Sequence, residues 1–424
     1  MSAFDKVIGY KNIKSDMVRT LDVFLDREKY GELGVEIPSG MALIGEPGIG
    51  KTTLAKAFIE ECGVNSYVIR KDKPNGDFVN HITETFDNAI GNAPSVILLD
   101  DLDKFANEDQ AHLNAEEYVT VQACMDKAKG SQVFVIATMN ETYNIPDSLL
   151  RVGRFDKQHY MKFPKGSEAA DIMRYYLSKK KVSDDIDVEE IVRLFECSSC
   201  AELENLVNRA GMIAGYRDSE VIEQRDLFSA WKETLFDESV EVKDKDKEHL
   251  RMKAVHECGH TVVAEAIYPG MVNYTTVFVS VSGMSGGRTS RHILFEDFCT
   301  VEEVEKEIMM SLGGKAATEV VFGEACLGSN SDMHDVFMLA QSLADDENVY
   351  DFRGWIADEH TPLEVKTIRD LTTQTVVSRC YNETKKLIHK NRELLDSLVT
   401  ELLDKQVLTY KDIARIKGNG VTGL

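Results

Sequence analysis

The sequence is poor in long apolar runs, in positive charge and in paired cysteines. No stretch of its 424 residues approaches the roughly 18 to 20 apolar residues of a membrane-spanning helix. Residues 1–6 also lack the apolar core of a signal peptide, so we expect a soluble protein. The formal net charge of −23 argues against non-specific nucleic-acid binding, because such binding depends on Lys and Arg neutralising phosphates.

The eight cysteines are scattered, and only Cys197 and Cys200 form a CxxC pair. A single pair is weak evidence for a zinc site, and it excludes a dense disulfide framework. Scattered thiols in a chain of this size are typical of a reducing compartment, so we expect a cytoplasmic protein with mostly inert thiols.

The chain is longer than a single hydrophobic core requires, and we expect two or three domains. Residues 167–236 have a helical, charged pattern that predicts a small helical domain. Residues 237–247 are almost free of large apolar side chains, which predicts a solvated linker and a domain boundary.

A phosphate-binding loop is predicted at residues 45–52. A short apolar run precedes it and a helix-like segment ending at Cys62 follows it, which is the strand–loop–helix order that such a loop needs. The glycines let backbone N–H groups converge on phosphate oxygens. We expect Lys51 to reach the terminal phosphates and Thr52 to bind magnesium.

Two acidic residues follow a second apolar run. Residues 96–99 predict a buried parallel strand that carries Asp100 and Asp101 to its C-terminal edge, where ligands bind in open α/β sheets. We expect Asp100 to hold magnesium and Asp101 to act on the attacking water. A third apolar strand, at residues 132–138, should deliver Asn140 to the same edge.

Arg151 and Arg154 lie three residues apart after this strand. Two such arginines could reach across a subunit boundary to the γ-phosphate of a neighbour. Ordinary surface arginines explain the sequence equally well.

His256, Glu257 and His260 form a His-Glu-x-x-His pattern. Positions four apart share one face of a helix, so both imidazoles could bind one metal ion. Glu257, rotated by roughly 100°, could take the proton of a zinc-bound water. An accidental match on an exposed helix is the competing interpretation, but the apolar flanks favour a helix packed into a fold.

A zinc site needs a third ligand, and Asp332 is the best-placed candidate. The break at residues 328–331 should start a helix, with Asp332 in its first turn. Asp is also common there simply as a helix-start residue.

Residues 275–281 have the alternating pattern of a β-strand and are rich in β-branched side chains. They could form an exposed edge strand that aligns an extended peptide by backbone hydrogen bonds. An ordinary hairpin is an equally good interpretation. Residues 301–322 and 363–417 are predicted to be helical.

Together, and in this order, these motifs resemble those of the FtsH-type AAA+ zinc proteases. The resemblance begins at residues 7–9 and runs to the C-terminal helices. Residues 150–156 look like the family's arginine-finger segment and residues 201–208 like its lid helix. Residues 312–317 and 331–332 resemble the stretches that lead to, and supply, the third zinc ligand.

The resemblance implies an α/β AAA+ P-loop ATPase domain with a helical lid, followed by a mainly α-helical zinc peptidase domain. The implied parts are a large ATPase subdomain at residues 1–163, a lid at 164–236, a charged linker at 237–247 and a metallopeptidase domain at 248–424.

The implied function is that of an ATP-dependent zinc metalloendopeptidase. A hexameric ring would use ATP to feed unfolded or loosely folded proteins into a zinc peptidase chamber, with Zn²⁺ and Mg²⁺-ATP as cofactors. The alternative is an AAA+ remodelling or chaperone-like ATPase with a weak or ATP-independent peptidase. Intact His256, Glu257 and His260 count against that alternative.

The site residues implied in this way fall into three groups. The catalytic group is Glu257, Asp101, Arg151 and Arg154. The ATP-binding group is Ile8, Gly9, Pro47, Gly48, Ile49, Gly50, Lys51, Thr52, Thr53, Asp100, Asn140 and Ala201. The metal ligands are His256, His260 and Asp332.

The sequence departs from the family pattern at four places. Family members usually carry an N-terminal membrane anchor, so this is either a soluble relative or a chain whose anchor lies outside it. Asp101 stands where Glu is usual, so its carboxylate is held on a side chain that is one methylene group shorter. A misplacement of about 1 Å at a reacting centre can cost on the order of 10²-fold in rate, which predicts slow ATP turnover. The pore-loop region at residues 73–79 is short and polar, with Phe78 as the nearest candidate for gripping substrate. Residues 125–128 lack the Gly-Phe that helps subunits communicate.

Overall fold

The computed structural model describes residues 2–72, 74–106, 115–195, 198–236, 247–278, 287–292, 300–324, 330–345 and 363–420. The chain divides into two compact units, Met1–Ala230 and Trp231–Leu424.

The first unit is built on a five-stranded sheet with helices around it. Its strands are β1 (Gly40–Ile44), β2 (Asn65–Ile69), β3 (Ser95–Leu99), β4 (Val133–Met139) and β5 (Lys157–Tyr160). Its helices are α1 (Lys11–Leu25), α2 (Arg27–Glu32), α3 (Lys51–Cys62), α4 (Asn75–Gly91), α5 (Ala115–Ala128), α6 (Gly166–Leu177), α7 (Val188–Leu194), α8 (Cys200–Tyr216) and α9 (Gln224–Leu235), the last of which crosses into the second unit.

All paired strands of this sheet run parallel, in the order β2-β3-β4-β1-β5. Every residue of β1, β3 and β4 is buried, which explains why these strands read as continuous apolar runs in the sequence. The three strand predictions are confirmed. The C-terminal ends of β1, β3 and β4 carry the phosphate loop, Asp100 and Asn140 respectively.

The predicted phosphate loop joins β1 to α3. Gly48 and Gly50 have positive φ angles of 78° and 98°, a conformation that costs glycine little. Helix α3 begins at Lys51 and ends at Cys62, where Gly63 caps it with a φ of 63°. The predicted strand–loop–helix order is therefore confirmed.

The predicted helical segment after the sheet is confirmed by α6 to α9. Its central helix, α8, begins with a reciprocal cap. The Ser199 hydroxyl accepts a hydrogen bond from the Glu202 backbone N–H at 3.2 Å, and the Glu202 carboxylate accepts one from the Ser199 N–H at 2.7 Å. This cap fixes the start of the helix that lies against the phosphate loop.

Phe78 lies in α4, and its side chain is fully buried in an edge-to-face contact with Phe105, with ring centroids 5.1 Å apart. The expectation that Phe78 grips substrate is wrong, because a ring packed in the core of its own subunit cannot reach a polypeptide. Lys73, at the start of the predicted pore loop, lies outside the described residues.

The second unit is mainly helical. Its elements after α9 are α10 (Lys247–Ile267), β6 (Val272–Thr276), β7 (Arg288–Arg291), α11 (Val301–Ser311), α12 (Gly313–Phe322), α13 (Asn330–Asp345), α14 (Leu363–Lys390), α15 (Arg392–Lys405), β8 (Val407–Thr409) and α16 (Tyr410–Gly420). Residues 237–246 of the predicted linker lie outside the described residues, and Lys247 already belongs to α10.

The strands of this unit form an antiparallel sheet in the order β7-β6-β8. The edge-strand expectation is wrong for Thr275 and Thr276, because they lie in the fully buried central strand β6. Strand β8 covers the other edge of β6. The prediction that residues 363–417 are helical throughout is therefore wrong at Val407–Thr409. Residues 279–281 of the predicted strand lie outside the described residues.

Helices α10 and α12 approach each other closely at two glycines. A Cβ atom added to Gly259 would overlap the carbonyl group of Gly313, and one added to Gly313 would lie 2.7 Å from the Gly259 carbonyl oxygen. Both positions therefore require glycine. The crossing brings the predicted metal-binding turn of α10 against the start of α12.

Candidate nucleotide and metal sites

Lys51 lies at the floor of the phosphate loop. Its side chain is buried, and its ammonium group donates to the carbonyl oxygens of Gly45 and Glu46 at 2.6 and 2.8 Å. It also donates to the Asn140 side-chain oxygen at 2.9 Å. Burial lowers the pKa of Lys51. An ammonium group held at the base of a glycine loop is the arrangement that binds terminal phosphates.

Asp100 is joined to both neighbouring elements. Its Oδ1 accepts hydrogen bonds from Thr52 at 2.8 Å and from Thr138 at 2.9 Å. The Thr138 hydroxyl oxygen in turn accepts the Asp101 backbone N–H at 2.9 Å. A hydroxyl and a carboxylate in direct contact are suitable ligands for magnesium, and these are the two residues predicted for that role.

Asp103 is a site residue that the sequence analysis missed. Its Oδ2 accepts a hydrogen bond from the Asn140 amide at 3.1 Å, while the amide oxygen of Asn140 accepts from Lys51. Asp103 therefore fixes which way Asn140 faces. The sequence contained a signal, because Asp103 follows Asp100 by three residues, in the short turn of helix (Leu102–Lys104) just after the same apolar strand.

Asp101 has a left-handed backbone conformation, with a φ of 57°. Its carboxylate lies 2.7 Å from the Lys104 ammonium and 3.6 Å from the Arg70 guanidinium. Asp101 and Lys104 both line the nucleotide cavity. The carboxylate that is expected to act on water is thus engaged by a cation of its own chain.

The two predicted arginine fingers have different surroundings. Arg151 is exposed, whereas Arg154 is only 4% exposed. Nε and Nη2 of Arg154 donate to the two carboxylate oxygens of Asp126 at 3.2 and 2.8 Å, and Nη1 contacts the Ser148 carbonyl oxygen. The hydrogen bond from Arg154 lowers the pKa of Asp126. Neither arginine is among the described residues that line the nucleotide cavity.

A cavity of about 790 Å³ lies over the phosphate loop. The predicted ATP contacts that line it are Ile8, Pro47, Gly48, Ile49, Gly50, Lys51, Thr52, Thr53, Asn140 and Ala201. Gly9 and Asp100 are not among its lining residues. The backbone N–H of Ala201 donates to the Gly48 carbonyl oxygen at 3.1 Å, which ties α8 to the loop.

Tyr10 is a further cavity residue without an obvious sequence signal. Its hydroxyl donates to the Ile49 carbonyl oxygen at 2.8 Å, and its backbone N–H donates to the Glu168 carboxylate at 2.5 Å. Gly9, which has a φ of 80°, lies directly against the same carboxylate, and a Cβ atom there would overlap it. Gly9 therefore contributes through close backbone packing beside the cavity.

The second site brings together the three predicted metal ligands. His256 and His260 project from one face of α10, and Asp332 lies in the first turn of α13, as predicted. Nε2 of His256 lies 3.2 Å from Nε2 of His260 and 3.1 Å from Oδ2 of Asp332. Nε2 of His260 lies 3.6 Å from the same Oδ2.

These separations fit a tetrahedral zinc ion. With ligands at about 2 Å, the edge of such a tetrahedron is about 3.3 Å, close to all three distances measured between the ligand atoms. Two imidazole nitrogens and one carboxylate oxygen form a typical donor set for catalytic zinc, which leaves a fourth position open. Among the described residues, His256, His260 and Asp332 form a group able to hold a metal ion.

Neighbouring groups hold both imidazoles in place. Nδ1 of His260 lies 2.8 Å from the Met310 carbonyl oxygen, which orients the ring and leaves Nε2 for the metal. A Cβ atom on Gly314 would overlap the His256 ring, so glycine at this position of α12 lets the ring keep its place. Burial alone would raise the pKa of Asp332, but its hydrogen bonds to His256 and His260 lower that pKa far below the usual range.

Glu257 is buried beside these ligands. Burial raises the pKa of its carboxyl group, although the two histidines and a hydrogen bond from Thr289 oppose the shift. The Thr289 hydroxyl lies 2.9 Å from Oε2 of Glu257. A carboxylate with a raised pKa next to a metal site is suited to accept a proton from water.

Models of three protein families match the chain. They are the ATPase family associated with various cellular activities at residues 41–163, the AAA+ lid domain at residues 185–229, and peptidase family M41 at residues 242–346. The matched domains define an AAA+ ATPase that carries a peptidase domain on the same chain.

Curated relatives match almost the whole chain. The ATP-dependent zinc metalloprotease FtsH of Acholeplasma laidlawii is 26% identical over 98% of this chain and 69% of its own length. FtsH 2 of Phytoplasma mali is 27% identical over 99% of this chain and 63% of its own. FtsH of Bacillus subtilis is 26% identical over 98% of this chain and 70% of its own. The chain thus spans about two thirds of the length of these relatives.

The chain belongs to the FtsH-type AAA+ zinc metalloproteases, as its sequence motifs had indicated. Its cofactors are accordingly Zn²⁺ at the peptidase site and ATP with Mg²⁺ at the ATPase site. No helix among the residues that the structure describes is long and apolar enough to cross a membrane.

Proposed function

We propose that this chain is an ATP-dependent zinc metalloendopeptidase that uses ATP hydrolysis to deliver unfolded or loosely folded proteins to its peptidase site. The observation that carries the proposal is the group formed by His256, His260 and Asp332, with Glu257 buried beside it. The same chain contains a phosphate-loop cavity. The remodelling-ATPase alternative is not favoured, because its peptidase half would have no need of a complete ligand set and base.

In the peptidase reaction, His256, His260 and Asp332 hold the metal. Zinc, when bound, polarises the peptide carbonyl and lowers the pKa of water at the site. Glu257 accepts the proton of the attacking water and passes it to the nitrogen of the leaving amine. Its raised pKa supports both steps, because a stronger base takes the proton more readily and its conjugate acid is still able to donate it.

In the ATPase reaction, Lys51 binds the terminal phosphates, while Thr52 and Asp100 hold magnesium. Asn140 faces the same phosphates, with its orientation set by Asp103. Asp101 orients the attacking water once its carboxylate leaves Lys104. The remaining predicted ATP contacts surround the nucleotide from the loop, from α8 and from residues 8–9.

Assembly into a ring, six-membered by analogy with the family, would complete the ATPase site. Arg151 is exposed and available to a neighbouring subunit. Arg154 must first exchange its pair with Asp126 for the neighbour's phosphate. A cytoplasmic location stays a prediction from the scattered cysteines.

The proposed domain boundaries remain those predicted from the sequence. The lid match at residues 185–229 lies inside the proposed lid at 164–236. The peptidase match begins at residue 242, inside the proposed linker at 237–247.

The test is cleavage of an unfolded casein by the zinc-loaded protein, with ATP, without ATP, and with the Glu257→Gln variant. We expect ATP to be required for full activity and Glu257→Gln to abolish cleavage, with a loss of about 10²- to 10⁴-fold. ATP turnover by Glu257→Gln serves as the control and should equal that of the parent. Cleavage that survives in Glu257→Gln would remove Glu257 from the catalytic role. Cleavage that is equally fast without ATP would remove the coupling to ATP.

A further inference from the structure

Resting on the proposed peptidase function, we propose that Thr289 is a positioning residue that sets the orientation of the Glu257 carboxylate. Thr289 lies on strand β7, 32 residues beyond Glu257 in sequence. Its hydroxyl oxygen lies 2.9 Å from Oε2 of Glu257 and 3.0 Å from the Glu257 backbone carbonyl oxygen. A hydroxyl has one proton to donate, so these two acceptors compete for it.

The competition favours the carboxylate. The Glu257 carbonyl oxygen already accepts a hydrogen bond from the Thr261 hydroxyl at 3.1 Å. The Thr261 hydroxyl is buried and is paired with that of Thr275 at 2.6 Å. A hydrogen bond to an ionised carboxylate is also roughly twice as strong as one between neutral groups. The Thr289 proton therefore goes to Oε2.

The other carboxylate oxygen of Glu257 faces Gly287. A Cβ atom at Gly287 would lie 2.7 Å from Oε1 and 2.9 Å from Cγ of Glu257. Gly287 and Thr289 are two residues apart, as are side chains that share one face of a strand. Thr289 therefore holds one oxygen while the bare backbone at Gly287 accommodates the other. Together they restrict the carboxylate to one orientation beside the metal ligands.

This restriction has a chemical purpose. A buried glutamate on a helix has three freely rotatable side-chain bonds, and a base must lie within hydrogen-bond reach of the proton it abstracts. Outer groups that orient the residues of a metal site commonly determine its activity. The Thr289 hydrogen bond occupies one lone pair of Oε2, and the remaining lone pairs of the carboxylate stay available to accept a proton from water.

The test compares Thr289→Val, which removes the hydroxyl at nearly constant volume, with Thr289→Ser, which retains it. Ser290→Ala is the matched control, because it removes a hydroxyl from the next residue of the same strand. We expect Thr289→Val to lower kcat for casein cleavage by about 10- to 100-fold, with KM and zinc content unchanged. Thr289→Ser and Ser290→Ala should stay close to the parent.

Parental kcat in Thr289→Val would overturn the proposal. So would equal losses in Thr289→Val and Thr289→Ser, because the methyl group and its packing would then matter instead of the hydroxyl. A loss explained entirely by missing zinc in Thr289→Val would overturn it as well.

A binding measurement that needs no turnover provides the second readout. A peptide hydroxamate would bind the zinc ion and donate a hydrogen bond to the Glu257 carboxylate, and calorimetry on zinc-loaded protein would give its affinity. Thr289→Val should weaken binding toward the level of Glu257→Gln, whereas parental affinity would overturn the proposal. If the parent cleaves no casein but its hydroxamate affinity depends on Thr289, the proposed function fails and the positioning role stands.

Discussion

The peptidase and ATPase sites differ in how far one chain assembles each of them. In the peptidase site, the ligand atoms of His256, His260 and Asp332 already lie 3.1 to 3.6 Å apart. The carbonyl group of Met310 orients one of the rings. Glu257 is buried next to them, so the groups needed to bind a metal and move a proton are together in a single chain.

The ATPase site is preassembled only on its phosphate and magnesium side, where Lys51 is already held by carbonyl groups of the loop. The groups proposed to act on water and on the transition state are each paired with another residue of the same chain. Asp101 is paired with Lys104, and Arg154 with Asp126. With the proposed roles, peptide hydrolysis would depend on geometry within one chain, whereas ATP hydrolysis would also require a rearrangement and a neighbouring subunit.

The largest effect should come from removing a metal ligand. His260→Ala should lose zinc and lower casein cleavage by more than about 100-fold, because loss of an outer partner alone costs about 10- to 100-fold. Zinc content by mass spectrometry of metals and cleavage rate are measured together. His249→Ala, an exposed histidine on the same helix, is the control. Retained zinc in His260→Ala would remove His260 from the ligand set.

The second-largest effect is expected at the ATPase site, from lengthening the side chain of Asp101. Asp101→Glu adds the methylene group that the family usually has, and should raise ATP turnover by up to about 10²-fold. Phosphate release at saturating ATP measures it. Asp103→Glu lengthens the acid that orients Asn140, and should produce no such rise. If Asp101→Glu turned over ATP no faster than the parent, the shorter side chain would not be what limits the rate.

A smaller effect is expected from crowding an imidazole ring. Gly314→Ala should push the His256 ring aside and weaken zinc binding by about tenfold, the lower end of outer-partner effects. A competition titration with a chromogenic chelator gives the affinity. Gly418→Ala is the control, because a Cβ atom there meets no other group. Unchanged affinity in Gly314→Ala would mean that the site still binds zinc fully when the His256 ring is displaced.

The smallest effect tests whether Lys104 restrains Asp101. Lys104 is well exposed, and exposed ion pairs contribute about 0.2 to 1 kcal/mol, so Lys104→Ala should raise ATP turnover by about 1.5- to 5-fold. Lys127→Ala, which breaks an exposed pair with Asp87, is the control and should leave turnover unchanged. A fall in turnover in Lys104→Ala would instead indicate that Lys104 contacts the nucleotide directly.

The sequence predicted the parts of both sites that lie on one continuous element. The loop at residues 45–52 and the pair His256 and His260 have fixed spacings because one turn or one helix must present them together. Asp332 could be predicted because helix starts have their own sequence signals. The α/β core was predictable from its buried strands, which are continuous apolar runs.

Residues that act through tertiary contacts could not be predicted in this way. Thr289 reaches Glu257 only because β7 pairs with β6, and no spacing in the sequence encodes that contact. Phe78 was misassigned because a polar segment concealed the buried face of α4. Strand β8 was missed because its three residues are too few to interrupt a helical pattern, and its presence places Thr275 in the centre of a sheet.

The most direct test of the central claim is the activity per chain across a dilution series, with zinc and Mg²⁺-ATP kept saturating. Cleavage of a short unstructured peptide should stay constant per chain as the protein is diluted, because its site is complete in each subunit. ATP turnover per chain should fall over the same range, in step with dissociation measured by light scattering. Peptide cleavage that falls in parallel with ATP turnover would contradict the account.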